Sequence, residues 1–289
     1  MEKYADIFLS SFSDYYNYLI SEISHPKLTG YFYWLIGLSF LVMLLEYFFP
    51  WRKKQAIFRS GFWLDVFYIF FNFFLFSLIG YNSLSNVFVE LFNDCLSYFG
   101  ISNIIAINIS QWPGWVQLFV MFIIADFIQW NIHIQLHSRS WLWKFHKVHH
   151  STKEMSFAAH FRFHFVETII YKTIQYVPLA MIGFGIQEFF FVHMISVLIG
   201  HLNHANLGWD YGPFRYLINS PKMHIWHHAK HLPNDRTRGV NFGLSLSVWD
   251  YIFGTAYIPT HDKDLELGFD GDETYPKDFF GQIIKPFKE

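Results

Sequence analysis

The chain has 289 residues, of which 53% are hydrophobic, 22% aromatic and only 15% charged. A soluble domain carries about 25% charged residues, so this composition excludes an ordinary soluble enzyme and indicates a membrane protein. The net charge of −2 gives no sign of nucleic-acid binding, and the single cysteine, Cys95, excludes an intramolecular disulfide and a cysteine-based zinc site.

Taken in chain order, the first 28 residues lack the basic and apolar regions of a signal peptide. Four apolar stretches follow, and their length predicts membrane-embedded helices: residues 31–49, 61–81, 115–134 and 166–200. The last stretch has Pro178, Gly183 and Gly185 near its middle, so we expect two short helices that form a hairpin. Residues 86–112 are mixed, and we expect them to lie on the membrane or to dip into it.

The basic cluster between Arg52 and Arg59 sets the expected orientation, because cytoplasmic loops are rich in lysine and arginine. The first span then runs inward, the second outward and the third inward, and the hairpin leaves the cytoplasmic face and returns to it. We therefore expect an all-α, polytopic membrane helix bundle of about four to five spans or half-spans with a histidine-rich helical cap on the cytoplasmic side. Residues 1–289 are read as one membrane-embedded domain.

The most informative pattern is His-x-x-His-His, which occurs at residues 146–150 and again at 224–228. On a helix, positions i, i+3 and i+4 share a face, so each box is expected to offer three imidazoles to one point. Imidazole nitrogen suits iron, zinc, copper and nickel. The two boxes therefore predict a polyhistidine metal site.

Four more histidines extend this site. His133 and His137 form an i, i+4 pair at the end of the third span, and His201 and His204 stand at the return end of the hairpin. The predicted metal ligands are His133, His137, His146, His149, His150, His201, His204, His224, His227 and His228. One transition metal rarely takes more than six ligands, so ten indicate two metal ions with open positions for a substrate such as oxygen.

Residues nearby are expected to orient these ligands. Asp126 lies two helical turns before His133, where its carboxylate can accept the free N–H of that imidazole. His164, with Glu167 three residues later, is expected to hold a ligand in place rather than to bind the metal. Of the remaining histidines, His160 is a weaker candidate, His193 is expected to pack inside the hairpin, and three are expected at the surface or near the membrane: His25, His231 and His261.

These motifs resemble the fatty acid hydroxylase / sterol desaturase superfamily of membrane di-iron enzymes. The resemblance covers residues 126–255, taken here as the histidine-box catalytic region, with a weaker match at Arg59 and Asp65. Beyond the histidines, it rests on the following stretches: Arg162-Phe163-His164-x-x-Glu167, His204-Ala205-Asn206, Asn241-Phe242-Gly243 and Trp249-Asp250. The chain departs from the family pattern at Ile134 and Phe165, where arginine and proline are usual.

The resemblance implies two iron ions held by the ten histidines near the cytoplasmic face, with O2 as co-substrate and two external electrons. It implies that Glu167, Asn206 and Asp250 support the ligands. The implied activity is hydroxylation of a fatty-acyl, alkyl-ether, sterol or carotenoid-type lipid. A desaturase on the same metal core is the alternative, because the two reactions diverge only after hydrogen abstraction. The expected electron donor is a separate protein of the cytochrome b5 or ferredoxin type with its reductase.

A different class of function is a zinc-dependent membrane hydrolase or a metal-binding membrane carrier. A hydrolase usually has one metal, three protein ligands and a glutamate base, which ten clustered histidines exceed. A carrier would line a path across the bilayer, whereas these histidines are expected to gather at one end.

Overall fold

The computed structural model describes residues 2–28, 30–76, 83–100, 109, 111–182, 184, 186–259 and 265–289. Within these ranges the regular structure is helical, and pairing of extended segments is limited to isolated bridges between Ile218 and Leu246 and between Ala229 and Leu267. The predicted all-α class is therefore confirmed. Gly183, Gly185 and His261 lie outside the described residues.

The α-helices in chain order are α1 (Glu2–Ser24), α2 (Tyr31–Phe48), α3 (Phe62–Phe70), α4 (Ser83–Tyr98), α5 (Gly114–Ser138), α6 (Ser140–His150), α7 (Phe165–Met181), α8 (Ile186–His204), α9 (Pro221–His227), α10 (Val248–Ile252) and α11 (Phe279–Lys288). A π-helical turn, Phe71–Leu75, continues α3, and a 3₁₀ turn, Phe157–Phe161, packs against α8.

Of the described helices, α2 and α5 are long and apolar enough to cross a membrane, by length and composition. They match the predicted spans at 31–49 and 115–134. The described part of the predicted span 61–81 contains a shorter apolar segment, Phe62–Leu75, and residues 77–81 lie outside the described residues. Helix α2 exposes large apolar side chains such as Phe40 and Phe48, which is the arrangement that lipid contact favours and water does not. These helices indicate a membrane-associated protein.

The predicted hairpin corresponds to two helices, α7, which ends at Met181, and α8, which begins at Ile186, and both pack against α5. Gln175 of α7 donates a hydrogen bond to the carbonyl of Ala125 at 2.9 Å, which joins α7 to α5. His193 of α8 packs against the ring of Tyr31 at 5.4 Å between centroids. Because α8 ends at His204, the hairpin delivers that histidine to the same end of the bundle as the end of α5.

Helix α1 was not predicted from the sequence. It packs on α4 through polar contacts, with Lys3 Nζ 2.8 Å from Glu90 and 2.7 Å from Asp94 and with Asn86 donating to Ser11 at 2.9 Å. A helix that alternates polar and apolar residues has no long apolar run, so a search for membrane spans does not find it. Helix α4 accounts for the first part of residues 86–112, whereas 101–108 and 110 lie outside the described residues.

Short helices beside the bundle carry the two histidine boxes. Helix α6 follows α5 directly and packs against it, and α9 packs against α8. The start of α9 is fixed locally, because the hydroxyl of Ser220 accepts a hydrogen bond from the Met223 N–H at 3.2 Å and Pro221 occupies the first helical position. The polar ends of α5 and α8 thus lie next to the two histidine boxes.

Candidate metal centre

In the part of the chain that the structure describes, nine of the ten predicted ligands gather in two groups, each with ring nitrogens within 4.8 Å of one another. We call them the five-histidine group (His133, His137, His146, His150 and His227) and the four-histidine group (His149, His204, His224 and His228). The groups adjoin, because the rings of His150 and His228 stack with centroids 4.5 Å apart. Two neighbouring groups that could each hold an ion are the arrangement that ten candidate ligands suggested.

Each box is divided between the groups, and here the sequence interpretation needs correction. His146 and His150 face the five-histidine group, whereas His149 faces the four-histidine group. Consecutive residues on an α-helix point about 100° apart because there are 3.6 residues per turn, so adjacent histidines diverge. The second box divides in the same way, with His227 separated from His228. A box therefore serves two points in space rather than one.

Unpaired nitrogen atoms mark both groups as sites for a bound ion. Among the described residues, six ring nitrogens of the two groups are buried without a hydrogen-bond partner: Nε2 of His137, His150 and His227, Nδ1 of His224 and both nitrogens of His228. Leaving one buried polar atom unpaired costs about 1–3 kcal/mol, so six in one place indicate that another partner satisfies them. The donor set consists of imidazoles alone, which suits a transition metal.

The spacing of the other nitrogens agrees with shared ion binding. The Nε2 atoms of His133 and His146 lie 3.2 Å apart, and Nε2 of His204 lies 3.1 Å from that of His149 and 3.1 Å from that of His224. Metal–imidazole bonds of about 2.0–2.1 Å place neighbouring ligand nitrogens roughly 3.0–3.4 Å apart. The residues present therefore fit a metal ion in each group.

Backbone carbonyls hold several rings in one tautomer. Four rings donate an Nδ1–H hydrogen bond to a carbonyl: His133 to Phe242 (2.7 Å), His149 to Arg162 (3.1 Å), His204 to Gly200 (2.7 Å) and His227 to Val240 (2.8 Å). Because a carbonyl can only accept, the proton is on Nδ1 and the lone pair of Nε2 points into the group. This fixes both the orientation and the ligand atom of each ring.

Burial keeps the box histidines neutral. It lowers the pKa of His146, His149 and His150 well below the usual range, and the charge of neighbouring histidines adds to the effect. The pKa values of His224, His227 and His228 are lowered for the same reasons. A metal ion needs unprotonated imidazole, so these rings are ready to bind at neutral pH.

Glu167 holds a ligand ring from outside the five-histidine group. Its Oε2 accepts a hydrogen bond from Nδ1 of His146 at 3.0 Å, and the carboxylate is buried. This is the contact that a carboxylate supporting a metal-bound imidazole makes. It leaves Nε2 of His146 directed toward His133.

The tenth predicted ligand, His201, lies outside both groups. Its Nε2 faces the hydroxyl of Ser39 at 3.1 Å, and its Nδ1 lies 3.1 Å from the Phe157 carbonyl and 3.3 Å from Nδ1 of His160. Residues three apart on a helix differ by about 60° in direction, so His201 does not follow His204 into the four-histidine group. His160 stacks on His204 with centroids 5.1 Å apart and so packs beside a ligand.

Asp126 also differs from the expectation. Its carboxylate accepts hydrogen bonds from the backbone of Ser245 at 3.1 Å and Leu246 at 3.3 Å and from the indole of Trp249 at 2.9 Å. The imidazole of His133 donates to the Phe242 carbonyl instead. Asp126 therefore holds the loop that carries this carbonyl, rather than the histidine itself.

Asn206 and His164, like Asp126, bind backbone groups of other segments. The amide of Asn206 pairs with the backbone of Arg52, accepting at 2.9 Å and donating at 3.2 Å. His164 donates from Nε2 to the carbonyl of Ile283 in α11 at 2.9 Å and accepts at Nδ1 from Val166 at 3.1 Å. Burial lowers the pKa of His164 to about 4, so the ring stays neutral. Both residues tie distant segments to the ends of α7 and α8.

The loop at Asn241-Phe242-Gly243 is the feature whose role the sequence left open. Asn241 has a positive φ of 54°, which asparagine tolerates better than most residues. Its side chain donates to the carbonyls of Met223 at 2.8 Å and Tyr257 at 2.7 Å. The loop thereby supplies the carbonyls that hold His133 and His227, which explains why these residue types stand together.

Asp250 anchors this loop. The buried carboxylate accepts four hydrogen bonds: from the backbone of Phe242 (2.9 Å) and Gly243 (2.8 Å), the indole of Trp130 (3.0 Å) and the hydroxyl of Thr255 (2.6 Å). It thus joins the loop to α5, the helix that carries His133 and His137. The resemblance associated Asp250 with the ligands, and the structure shows that the connection runs through the backbone.

Asp65 of α3 and Arg59, which precedes that helix, support the site. The buried carboxylate of Asp65 pairs with the guanidinium groups of Arg59 and Arg162. Arg162 in turn accepts the Nδ1–H hydrogen bond of His149 through its carbonyl. This ion-pair network therefore positions one ring of the four-histidine group, and it accounts for the motif match near residue 60.

A cavity of about 490 Å³ extends from the histidines into the helices. Its lining at one end, the histidine end, includes His133, His146, His149, His204 and His224. On α8 the lining residues run from Phe189 to His204, a distance of about 22 Å at 1.5 Å per residue. The opposite end, the tyrosine end, is lined by Tyr15, Tyr18, Glu22 and Tyr31 of α1 and α2. The cavity is long enough for a hydrocarbon chain.

Comparison with known proteins shows what the chain is similar to. Residues 118–255 match the family described as fatty acid hydroxylase. An ornithine lipid hydroxylase of Rhizobium tropici is 31% identical over 177 residues, which are 61% of this chain and 52% of that protein. Alkylglycerol monooxygenases of Xenopus tropicalis and Danio rerio are 28% identical over 158 residues and 30% over 155, or 54% and 53% of this chain and 33% and 32% of those proteins.

The chain thus spans about half of the length of the first relative and about a third of the others. No solved structure matches it significantly.

Proposed function

We propose that this chain is a membrane monooxygenase that hydroxylates a lipid with O2 and external electrons, in keeping with the match of residues 118–255 to the fatty acid hydroxylase family. The observation that carries the proposal is the pair of histidine groups at the end of a long, mostly apolar cavity. The relatives are named as a hydroxylase and as monooxygenases, which favours hydroxylation over desaturation. Their names also favour an ornithine lipid or an alkylglycerol as the kind of substrate.

We propose two iron ions, one in each histidine group, with His201 left out of the ligand set. The nine remaining imidazoles, their unpaired buried nitrogens and their fixed tautomers support this assignment. Bound iron would supply the redox chemistry that breaks an unactivated C–H bond, which no side chain provides. A separate electron donor of the cytochrome b5 or ferredoxin type would deliver the two electrons.

The protein itself positions the substrate and excludes water from it. Met121, Leu179 and Val197 are buried and line the cavity, so a hydrocarbon chain there lies against apolar walls from which water is excluded. Holding one methylene of the substrate beside the histidine end fixes the distance and orientation of the reacting groups. Glu167 and the loop carbonyls prevent the ligand rings from turning, which keeps the geometry of the histidine end constant.

We propose a multi-pass arrangement with the histidine groups on the cytoplasmic side, as the basic residues between Arg52 and Arg59 indicate. In this arrangement α4 lies on the opposite side. Its Cys95 is exposed and is the single cysteine of the chain. A membrane-impermeant maleimide should therefore label the unmodified protein in intact cells or right-side-out vesicles.

The matched control is Asp235→Cys in a Cys95→Ser background, because Asp235 belongs to the cap region and its side chain is 77% exposed. This variant should be labelled only after the membrane is permeabilised. The reverse result for both proteins would invert the proposed orientation.

The proposed activity is tested by metal content together with a lipid comparison. Purified protein should contain about two irons per chain. Cells that express the chain should show one lipid class that has gained the mass of one oxygen relative to cells that lack it. Loss of two hydrogens instead would indicate a desaturase. One zinc per chain with hydrolytic activity would overturn the oxygenase proposal.

A further inference from the structure

The tyrosine end of the cavity holds a buried carboxylate that the proposed chemistry does not use. Glu22 of α1 is 8% exposed, lines the cavity, and its Oε2 has no hydrogen-bond partner among the described residues. Burying an unpaired charge is costly. Tyr18, one turn earlier on α1, hydrogen-bonds to the Glu22 side chain, but Oε2 remains without a partner in the described part of the chain. A cationic or hydrogen-bond-donating ligand in the cavity would satisfy this oxygen.

This carboxylate lies far from the histidines. It sits beside Gly30, since a Cβ atom placed on Gly30 would lie 2.9 Å from Glu22 Oε2. Near the other end of α2, Glu46 accepts a hydrogen bond from the backbone of Asn206 at 2.7 Å, two residues after His204. Sixteen residues of helix separate Gly30 from Glu46, or about 24 Å along the axis. A ligand at Glu22 would thus leave room for a chain between the two ends.

Aromatic rings surround this position. Tyr15, Tyr18 and Glu22 are spaced i, i+3 and i+7 on α1 and so share one face, and the two tyrosine rings stack at 5.7 Å between centroids. Tyr31 follows Gly30 directly and lines the same cavity. The connection between α1 and α2 is fixed by hydrogen bonds from Tyr33 to the Ile23 carbonyl and from Trp34 to the Leu28 carbonyl, each 2.6 Å.

A carboxylate among aromatic faces is suited to one kind of group. The face of an aromatic ring attracts a cation, and such rings recognise ammonium groups in particular. We infer that the tyrosine end binds the ammonium group of an amphiphilic lipid, held by Glu22 and the rings of Tyr15, Tyr18 and Tyr31, while the hydrocarbon part of the lipid extends toward the histidine end. This assignment rests on the proposed function, because it takes the histidine end to be the oxidising centre.

The other charged groups that line the cavity already interact with groups of the protein. Lys172 of α7 also lines the cavity, and Gln175, three residues later, bonds to Ala125 of α5. Lys172 therefore lies between Gln175 and the end of α7 that carries Glu167, and its charge acts on His193 of α8. The remaining lining carboxylate, Glu167, is engaged by His146. Glu22 is thus the acidic group of the described lining that a lipid ammonium can reach at the tyrosine end.

The test compares ligands that share a chain and differ in the head group. Purified full-length protein with its metal is mixed in detergent at neutral pH with tetradecylamine, tetradecanol or tetradecanoate, and binding is measured by native mass spectrometry. We expect the amine to bind about tenfold more tightly than the alcohol, since a desolvated ammonium among aromatic rings and a carboxylate gains about that much. In Glu22→Gln this preference should fall to less than about twofold.

The matched control is Glu2→Gln, which makes the same change at an exposed position of the same helix and should keep the preference for the amine. Tyr18→Leu provides an independent variant, which should reduce amine binding severalfold and leave alcohol binding unchanged. Unchanged iron content reports that each variant is folded. Equal preference in wild type and Glu22→Gln, or tighter binding of tetradecanoate than of the amine, would overturn the inference.

The two levels of the proposal fail in different ways. If the chain oxidises no lipid but binds the amine through Glu22, the proposed activity is wrong and the ammonium site stands. If the chain oxidises a lipid but shows no preference for an ammonium group, the ammonium site is wrong and the activity stands.

Discussion

Replacing His204 with alanine should abolish lipid oxidation, with a loss of at least about 10³-fold, and should lower the iron content from two ions per chain to one or fewer. His204 is central to the four-histidine group, since its Nε2 lies 3.1 Å from Nε2 of both His149 and His224. Removing it leaves those nitrogens without the partner that completes the ion site. Iron analysis of the purified variant and a lipid turnover assay measure the two effects.

The chain offers a close control in His201→Ala. His201 lies one turn earlier on α8 and is equally buried, but its nitrogens face Ser39 and the Phe157 carbonyl. This variant should retain two irons per chain while losing some stability, about 1–3 kcal/mol for the buried groups left unpaired. If His201→Ala loses an iron and His204→Ala does not, the division of α8 histidines described above is incorrect.

Asp250→Ala should cause a large loss of stability although Asp250 lies outside the ligand set. The change removes a buried acceptor of four hydrogen bonds, and breaking such a network destabilises a protein by about 3–5 kcal/mol. The midpoint of thermal unfolding in detergent should fall by on the order of 10 °C. Because the loop carries the carbonyl that orients His133, iron affinity should also fall by about 10–100-fold.

Asp235→Ala serves as the control for this prediction. Its side chain is 77% exposed and lies 3.6 Å from Arg236 in an exposed pair, and such pairs contribute about 0–1 kcal/mol. Its unfolding temperature and iron content should match those of the wild type. An Asp250→Ala variant that unfolds at the wild-type temperature would show that the loop is held by other contacts.

The sequence predicted the all-helical class and the positions of α2, α5, α7 and α8, because long apolar runs are a direct requirement of crossing a bilayer. It did not predict α1, whose role depends on tertiary packing against α4 and on the cavity rather than on its own composition. The same distinction explains why the short helices of the histidine-rich region were not predicted. Helix α9, for example, is defined by the hydrogen bond at Ser220 and by neighbouring segments.

At the candidate site, spacing alone identified histidines that the fold brings together, but it could not assign them to groups. The direction of a side chain on a helix decides that assignment, and directions differ between His201 and His204 as they do between His149 and His150. The roles of Asp126 and Asn206 were still harder to predict from the sequence. Both contact backbone groups of remote segments, and the partners of such contacts leave no trace in local sequence.

The division of each histidine box between the two groups has a thermodynamic consequence for how the ions are acquired. Since α6 and α9 each contribute to both sites, an ion bound at one site immobilises helices whose other rings belong to its neighbour. If two ions bind as proposed, the first ion would meet part of the entropy cost of ordering the second site, so we expect uptake of the two ions to be positively cooperative. By the same linkage, a chain with a single ion would hold that ion less firmly than the intact pair.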